Sequence, residues 1–127
     1  MGKLGKRFSC GSMFEKYKWR NRILVVLSDD EKILNKQKDI LIKSKDCLID
    51  RDLIIFGYEN LDAPFIKGSQ VELNSIKEEF SISQDGNVIL IGKDGGVKKT
   101  WKSYVSSDEL FTIIDSMPMR RREMRRR

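Results

Sequence analysis

Two branched, apolar runs, ILVVL at 23–27 and LIIFGY at 53–58, most constrain what this chain can fold into. Each has the length of a strand, and neither alternates with polar residues. Strands of that kind are buried on both faces, inside a sheet covered from two sides. Between them, Ser28, Asp29, Asp30 and Glu31 read as a helix start. Serine three residues before glutamate is a capping box, and acids complement the positive end of the helix dipole. Ile33, Leu34, Gln37, Ile40, Leu41 and Ser44 then form a helical stripe to about Lys45. Strand, helix and strand joined this closely predict a right-handed βαβ unit with parallel strands.

Downstream, Pro64 and Gly68 punctuate a loop. Ser69 and Glu72 repeat the capping pattern, with Leu73, Ile76 and Phe80 at helical spacing behind them. VILIG at 88–92 and VKKTW at 97–101 flank Lys93-Asp94-Gly95-Gly96, a hairpin signal. The irregular alternation of Val97, Thr100 and Trp101 suits an edge strand. Ser106 and Glu109 form a third capping pattern, and Leu110, Ile113, Ile114 and Met117 give the apolar face of a last helix. Pro118 is expected to end or kink it. The order β-α-β-α-β-β-α predicts an α/β, thioredoxin-like three-layer sandwich around a four-stranded mixed sheet.

Length and composition narrow the class. A chain of 127 residues suits one domain with a real core. No apolar run approaches the roughly 20 residues that span a bilayer. The start has no apolar stretch typical of a secretory signal, so the chain as written reads as cytoplasmic, or as periplasmic or secreted if a signal was removed. Two cysteines make no disulfide framework, and with no histidine there is no imidazole to hold a metal. No metal site or cofactor is expected.

Charge is unevenly spread. Residues 1–22 carry seven Lys/Arg and one Glu, and residues 120–127 carry six Arg and one Glu, whereas 23–119 carry 12 Lys/Arg against 17 Asp/Glu. Both ends are basic and the body is acidic. A dedicated nucleic-acid domain places its basic stripe on folded elements, so nucleic acid is not the favoured partner. Residues 1–14 are expected to be a flexible basic lead-in to a domain at 15–126.

Four segments, YKWRNRILVV (17–26), DRDLIIF (50–56), VILIGKDGGVK (88–98) and LFTIIDSMPMRRREMR (110–125), together resemble the bacterial branch of the DUDES family. These are thioredoxin- or peroxiredoxin-like domains of unknown function, with relatives in animal secreted matrix proteins such as equarin and the sushi-repeat proteins. The resemblance covers roughly 15–126 and implies the fold far more than an activity.

Redox chemistry of the usual kind is not expected. A thioredoxin keeps Cys-x-x-Cys where the first strand meets the first helix, because the helix N-terminus lowers the thiol pKa. Here that junction is Ser28 to Lys32, without a thiol. The proline expected before the third core strand is replaced by Gln84-Asp85-Gly86-Asn87, and the peroxiredoxin Pro-x-x-x-Thr-x-x-Cys pattern is absent. Cys47 reads first as a small buried hydrophobe under the sheet; a reactive thiol would need an exposed, electropositive setting. Cys10 lies in the lead-in, and a Cys10–Cys47 disulfide would require that segment to fold back. Asp29, Asp30 and Glu31 read first as capping, second as an acid/base or oxygen-ligand cluster. Trp19 reads as a packing lid on the sheet edge, and Lys93 to Gly96 as a turn rather than a phosphate loop.

The arginine-rich ending has three readings: a solvated end, an element docked on the acidic body, or a recognition surface for polyanion. Glu123, three residues from Arg120, favours helix, and Met119 and Met124 offer apolar contacts. Arg120, Arg121, Arg122 and Arg125 are the candidate binding residues. The leading expectation is a non-catalytic binding module for a protein or polyanion. The alternative is a divergent thiol enzyme using Cys47 or Cys10, or a carboxylate-based activity at Asp29 to Glu31.

Overall fold

A computed structural model describes residues 17–27, 30–58, 61, 63–66 and 88–126. The expected lead-in at 1–14, Cys10, Asp29, the helix expected over 69–80 and Gln84 to Asn87 lie outside the described residues.

The first apolar run forms β1 (Arg22–Val26), buried along its whole length. A helix α1 (Glu31–Lys43) follows, then a short helix α2 (Lys45–Asp50) and β2 (Leu53–Phe56). As expected of a βαβ unit, β1 and β2 are parallel, with Arg22 opposite Leu53 and Val25 opposite Phe56. Gly57 ends β2 at φ 130°, where a Cβ would run into the Val26 carbonyl oxygen. Pro64, after a cis peptide bond, leads into β3 (Phe65–Ile66), a two-residue strand parallel to β2. β4 (Val88–Ile91) runs antiparallel to β1, and β5 (Val97–Trp101) antiparallel to β4. Two helices close the chain, α3 (Ser107–Asp115) and α4 (Pro118–Arg125).

Among the described residues the sheet is mixed, in the order β3-β2-β1-β4-β5, with five strands rather than the expected four. The additional strand is too short to give an apolar period. β5 is the expected edge. Its broken alternation has a cause: Leu90 faces Lys99 while Ile91 faces Val97, so one residue of β5 bulges out.

One face of the sheet carries Leu24, Val26, Leu53, Ile55, Val88 and Leu90, packed with Leu41 of α1, Leu48 of α2 and Leu110 and Ile114 of α3. The opposite face carries Ile23, Val25, Ile54, Phe56, Ile89 and Ile91, with Tyr17, Ile66 and Val97 against it. The alternation of a two-residue period therefore supplies two cores from each continuous apolar run.

Two local expectations need correction, and a third needs an addition. The N-cap of α1 is Asp30, not Ser28: the helix begins at Glu31, and Asp30 Oδ1 accepts the Lys32 N–H at 2.9 Å. Helical periodicity locates a stripe more sharply than a first turn. Pro118 does end the apolar helix, which stops at Asp115, and it also opens a new one at its first position, where its missing N–H costs nothing. Met117 before it is extended, as the clash with a following proline ring demands. Trp19 is no packing lid; it is 60% exposed, at φ 69° in a turn. The Ser106 cap holds, accepting the Glu109 N–H at 3.2 Å, but the Glu109 carboxylate takes the Trp101 indole N–H at 2.7 Å instead of closing the box.

Gln37, in the middle of the α1 stripe, is fully buried. Its amide donates to the Val105 carbonyl at 3.1 Å and accepts the Val105 N–H at 2.8 Å, behaving as a strand partner for an otherwise unpaired peptide. No helix among the described residues is long and apolar enough to cross a membrane.

Replacing Gln37 with leucine keeps the volume but orphans both Val105 groups. Each orphan costs about 1–3 kcal/mol, so Gln37→Leu should lower the urea midpoint by an amount equivalent to on the order of 3 kcal/mol, with an unchanged m-value.

Candidate functional site

Charged side chains converge at one end of the sheet. Arg22 is the first residue of β1, Asp50, Arg51 and Asp52 form the turn from α2 into β2, and Lys93 follows β4. Because β4 is antiparallel to the other two, all three positions lie at the same end. Asp115 closes α3, and Arg120 and Glu123 face inward from α4.

Arg22 is 1% exposed and Lys93 8%. Two cations held so far from water need anions, and Glu123 supplies one to both. Its carboxylate receives both terminal nitrogens of Arg22 at 3.3 Å and Lys93 Nζ at 2.6 Å. Lys93 Nζ also reaches Asp52 at 2.9 Å, and Arg22 Nη1 donates to the Arg51 carbonyl at 2.9 Å. A second cluster adjoins. Arg120, 2% exposed, donates to the Asp50 carboxylate at 2.8 Å and to Asp115 at 3.1 Å. Arg51 forks onto Asp115 at 3.0 and 2.9 Å and lies over the Phe111 ring at 4.3 Å. Arg120 and Glu123 approach to 3.7 Å and join the two clusters. Four cations thus meet four carboxylates.

Burial works to raise the Glu123 carboxyl, but hydrogen bonds from Lys93 and Arg22 outweigh it and hold the group below the ordinary glutamate value. Burial likewise opposes ionisation of Asp115, and Arg51 and Arg120 pull it down. The Arg120 guanidinium is raised despite its burial, by Asp50 and Asp115.

The predicted binding arginines divide. Arg120 is occupied inside this network, whereas Arg121, Arg122 and Arg125 on α4, and Arg126 at its C-cap, are exposed. No carboxylate among the described residues pairs with those four. Beside them a recess of about 360 Å³ is lined by Trp19, Lys93, Met119, Arg122, Arg126 and the paired carboxylates Asp52 and Glu123.

The remaining candidates lie apart. Cys47 is on α2 and exposed, which overturns its reading as a buried hydrophobe. The α2 turn faces Leu48 inward instead, fully buried. Asp30 is the α1 cap and Glu31 an exposed residue of the first turn. Both sit beyond the far end of β1, five residues or roughly 16 Å of strand from Arg22. Among the described residues no three acidic or thiol groups cluster as a metal site would require. Lys93 reads from the sequence only as a turn residue, and Arg22 only as part of the basic end at 1–22. A cation bordering a run that must be buried, with a matching acid in the last helix, was the available signal.

The family whose model matches residues 13–123 is described as "Domain of unknown function (DUF4174)". The chain belongs to that family. It is also similar to coiled-coil domain-containing protein 80 of Danio rerio, 28% identical over 138 residues, covering 91% of this chain. The chain spans only 16% of the length of that relative. Among solved structures, the reduced 2-Cys peroxiredoxin of Plasmodium vivax superposes with a TM-score of 0.61 at 15% identity, over 84% of this chain and 70% of the other. The thioredoxin domain of a thiol-disulfide oxidoreductase from Bacteroides vulgatus gives 0.50 at 14% identity, over 79% and 80%. The likeness establishes a thioredoxin-like fold and carries no chemistry. In this member of the DUF4174 family, no cysteine stands between β1 and α1.

The lowered Glu123 and Asp115 carboxyls have a sign that can be tested. A depressed carboxyl adds stability that is complete above its unfolded value, near pH 4, and is lost as pH falls through the folded one. Glu123→Gln should cost about 2 kcal/mol at pH 7, less than a fully buried pair because Glu123 is 22% exposed. Urea midpoints of the two proteins should converge below pH 4.

Proposed function

We propose that this domain is a non-catalytic binding module that meets a polyanionic partner through the outer face of α4. One observation carries the reading: α4 is fixed to the body by Arg120 and Glu123, which leaves Arg121, Arg122, Arg125 and Arg126 outward and unpaired among the described residues. A helix held by buried charges presents its outer charges in a set geometry, at little further cost in backbone entropy on binding. The exposed Trp19 beside Arg122 and Arg126 adds a flat surface next to the cations. The finer placement in the bacterial branch of the DUDES family rests on the blocks at 88–98 and 110–125, which contain Lys93, Arg120 and Glu123.

Retention on a heparin matrix tests this reading, since log affinity for a polyanion falls linearly with log salt. The triple variant Arg121→Gln, Arg122→Gln and Arg125→Gln should elute at clearly lower salt with unchanged circular dichroism. Absence of wild-type retention at low ionic strength would remove the polyanion as partner.

The exposed thiol of Cys47 favours a second reading, a divergent thiol enzyme. Alkylation by iodoacetamide at pH 7 distinguishes the two. A binding module should react at the rate of an ordinary exposed thiol such as glutathione; a rate at least tenfold higher would turn the assignment toward catalysis.

A further inference from the structure

A cavity of about 460 Å³ lies between the β4–β5 turn and the junction of α3 with α4, on the other side of Lys93 and Met119 from the recess beside Trp19. Its size falls within the range of small-molecule sites. Ile113, Met117, Pro118 and Met119 give it an apolar wall. Arg22, Lys93 and Lys98 also border it; Glu123 and Asp52 balance the first two from behind the wall, and Asp94 bonds Lys98 at 2.8 Å.

Two independent features of that wall call for an acceptor. The buried Nε of Arg22 has no hydrogen-bond partner among the described residues, although both terminal nitrogens of the same guanidinium are used. Buried donors in native structures are nearly always satisfied, and an orphan marks a place where a partner belongs. In addition, α4 begins here, with Met117 as an N-cap that makes no side-chain bond to the first turn. A helix start left uncapped offers free N–H groups and the positive end of its dipole to an anion.

We propose that this cavity is a binding site for a small organic acid, with its carboxylate at Arg22 and the uncapped start of α4. The apolar tail lies along Ile113, Met117 and Met119. A purely inorganic anion would leave that wall in water, and a neutral hydrocarbon would leave the Arg22 N–H unpaired. Met117 and Met119 on the cavity wall are pliable side chains, whose movement would let a head group approach the buried Arg22 Nε. The site is separate from the outward arginines of α4 and does not depend on their having a partner.

The test is a titration of the full, ¹⁵N-labelled chain with octanoate, octanol and acetate, followed through the arginine Nε–H signals. Octanoate should bind with submillimolar Kd and shift the Arg22 Nε–H resonance, with octanol and acetate at least tenfold weaker. Ser116, exposed on the cavity margin, allows a blocking variant. Ser116→Trp, checked as folded by its amide spectrum, should weaken octanoate at least tenfold. The proposal is overturned by absence of octanoate binding at 10 mM, by equal binding of octanol or acetate, or by undiminished binding to Ser116→Trp. It also fails if only the Nε–H signals of the outward arginines move, since octanoate would then be pairing with the α4 surface.

Discussion

Two cations, Arg22 and Lys93, stand at the ends of β1 and β4, strands otherwise wholly apolar and buried, and in that setting each requires a negative partner. Glu123 reaches both, from a helix with little else to hold it. The α4 sequence PMRRREMR has few apolar groups to bury, so the usual docking force is small. Charge does the positioning instead. The Glu123 carboxylate can satisfy Arg22 and Lys93 together in only one seating of the helix, and Arg120 on Asp50 and Asp115 repeats the constraint one turn away. Buried pairs of this kind add less to stability than they do to a unique geometry. Everything said of the outer arginines and of the cavity beside α4 depends on that seating.

The two ends of the sheet have different characters. In open α/β sheets the carboxyl ends of the parallel strands usually carry chemistry. Here the end where β1 passes into α1 carries a helix cap and no thiol. The opposite end has collected the buried cations, the cavity and the basic helix. Among the described residues, the thioredoxin-like frame therefore carries its charged network at the pole opposite the β1–α1 junction.

Elements built from local periodicity were legible in the sequence. The parallel βαβ pair, the hairpin at Asp94-Gly95 and the Leu110, Ile113, Ile114 face all follow from residues near each other in the chain. Fine boundaries were less so. Asp30 and Ser28 are equally good caps in principle, and only the first turn's geometry selects one. Cys47 shows the limit for a short helix: with Leu48 the deeply buried residue of α2, its neighbour must face out. The charged network was hidden for a different reason. Its members, at positions 22, 50–52, 93, 115, 120 and 123, are far apart in sequence, and a lone lysine before a turn looks the same whether or not an acid awaits it.

The bulge in β5 bears on what the edge of the sheet offers to another strand. A sheet's last strand offers unpaired peptide groups, and a flat apolar one invites the strand of another molecule. β5 places Lys98 and Lys99 at that margin, both exposed, and the extra residue between its partners breaks the even ladder that a newcomer would have to match. Any second chain sliding alongside would meet like charge and a mismatched hydrogen-bond spacing together. The same kink that spoils the strand's period in the sequence is therefore a guard against open-ended sheet growth.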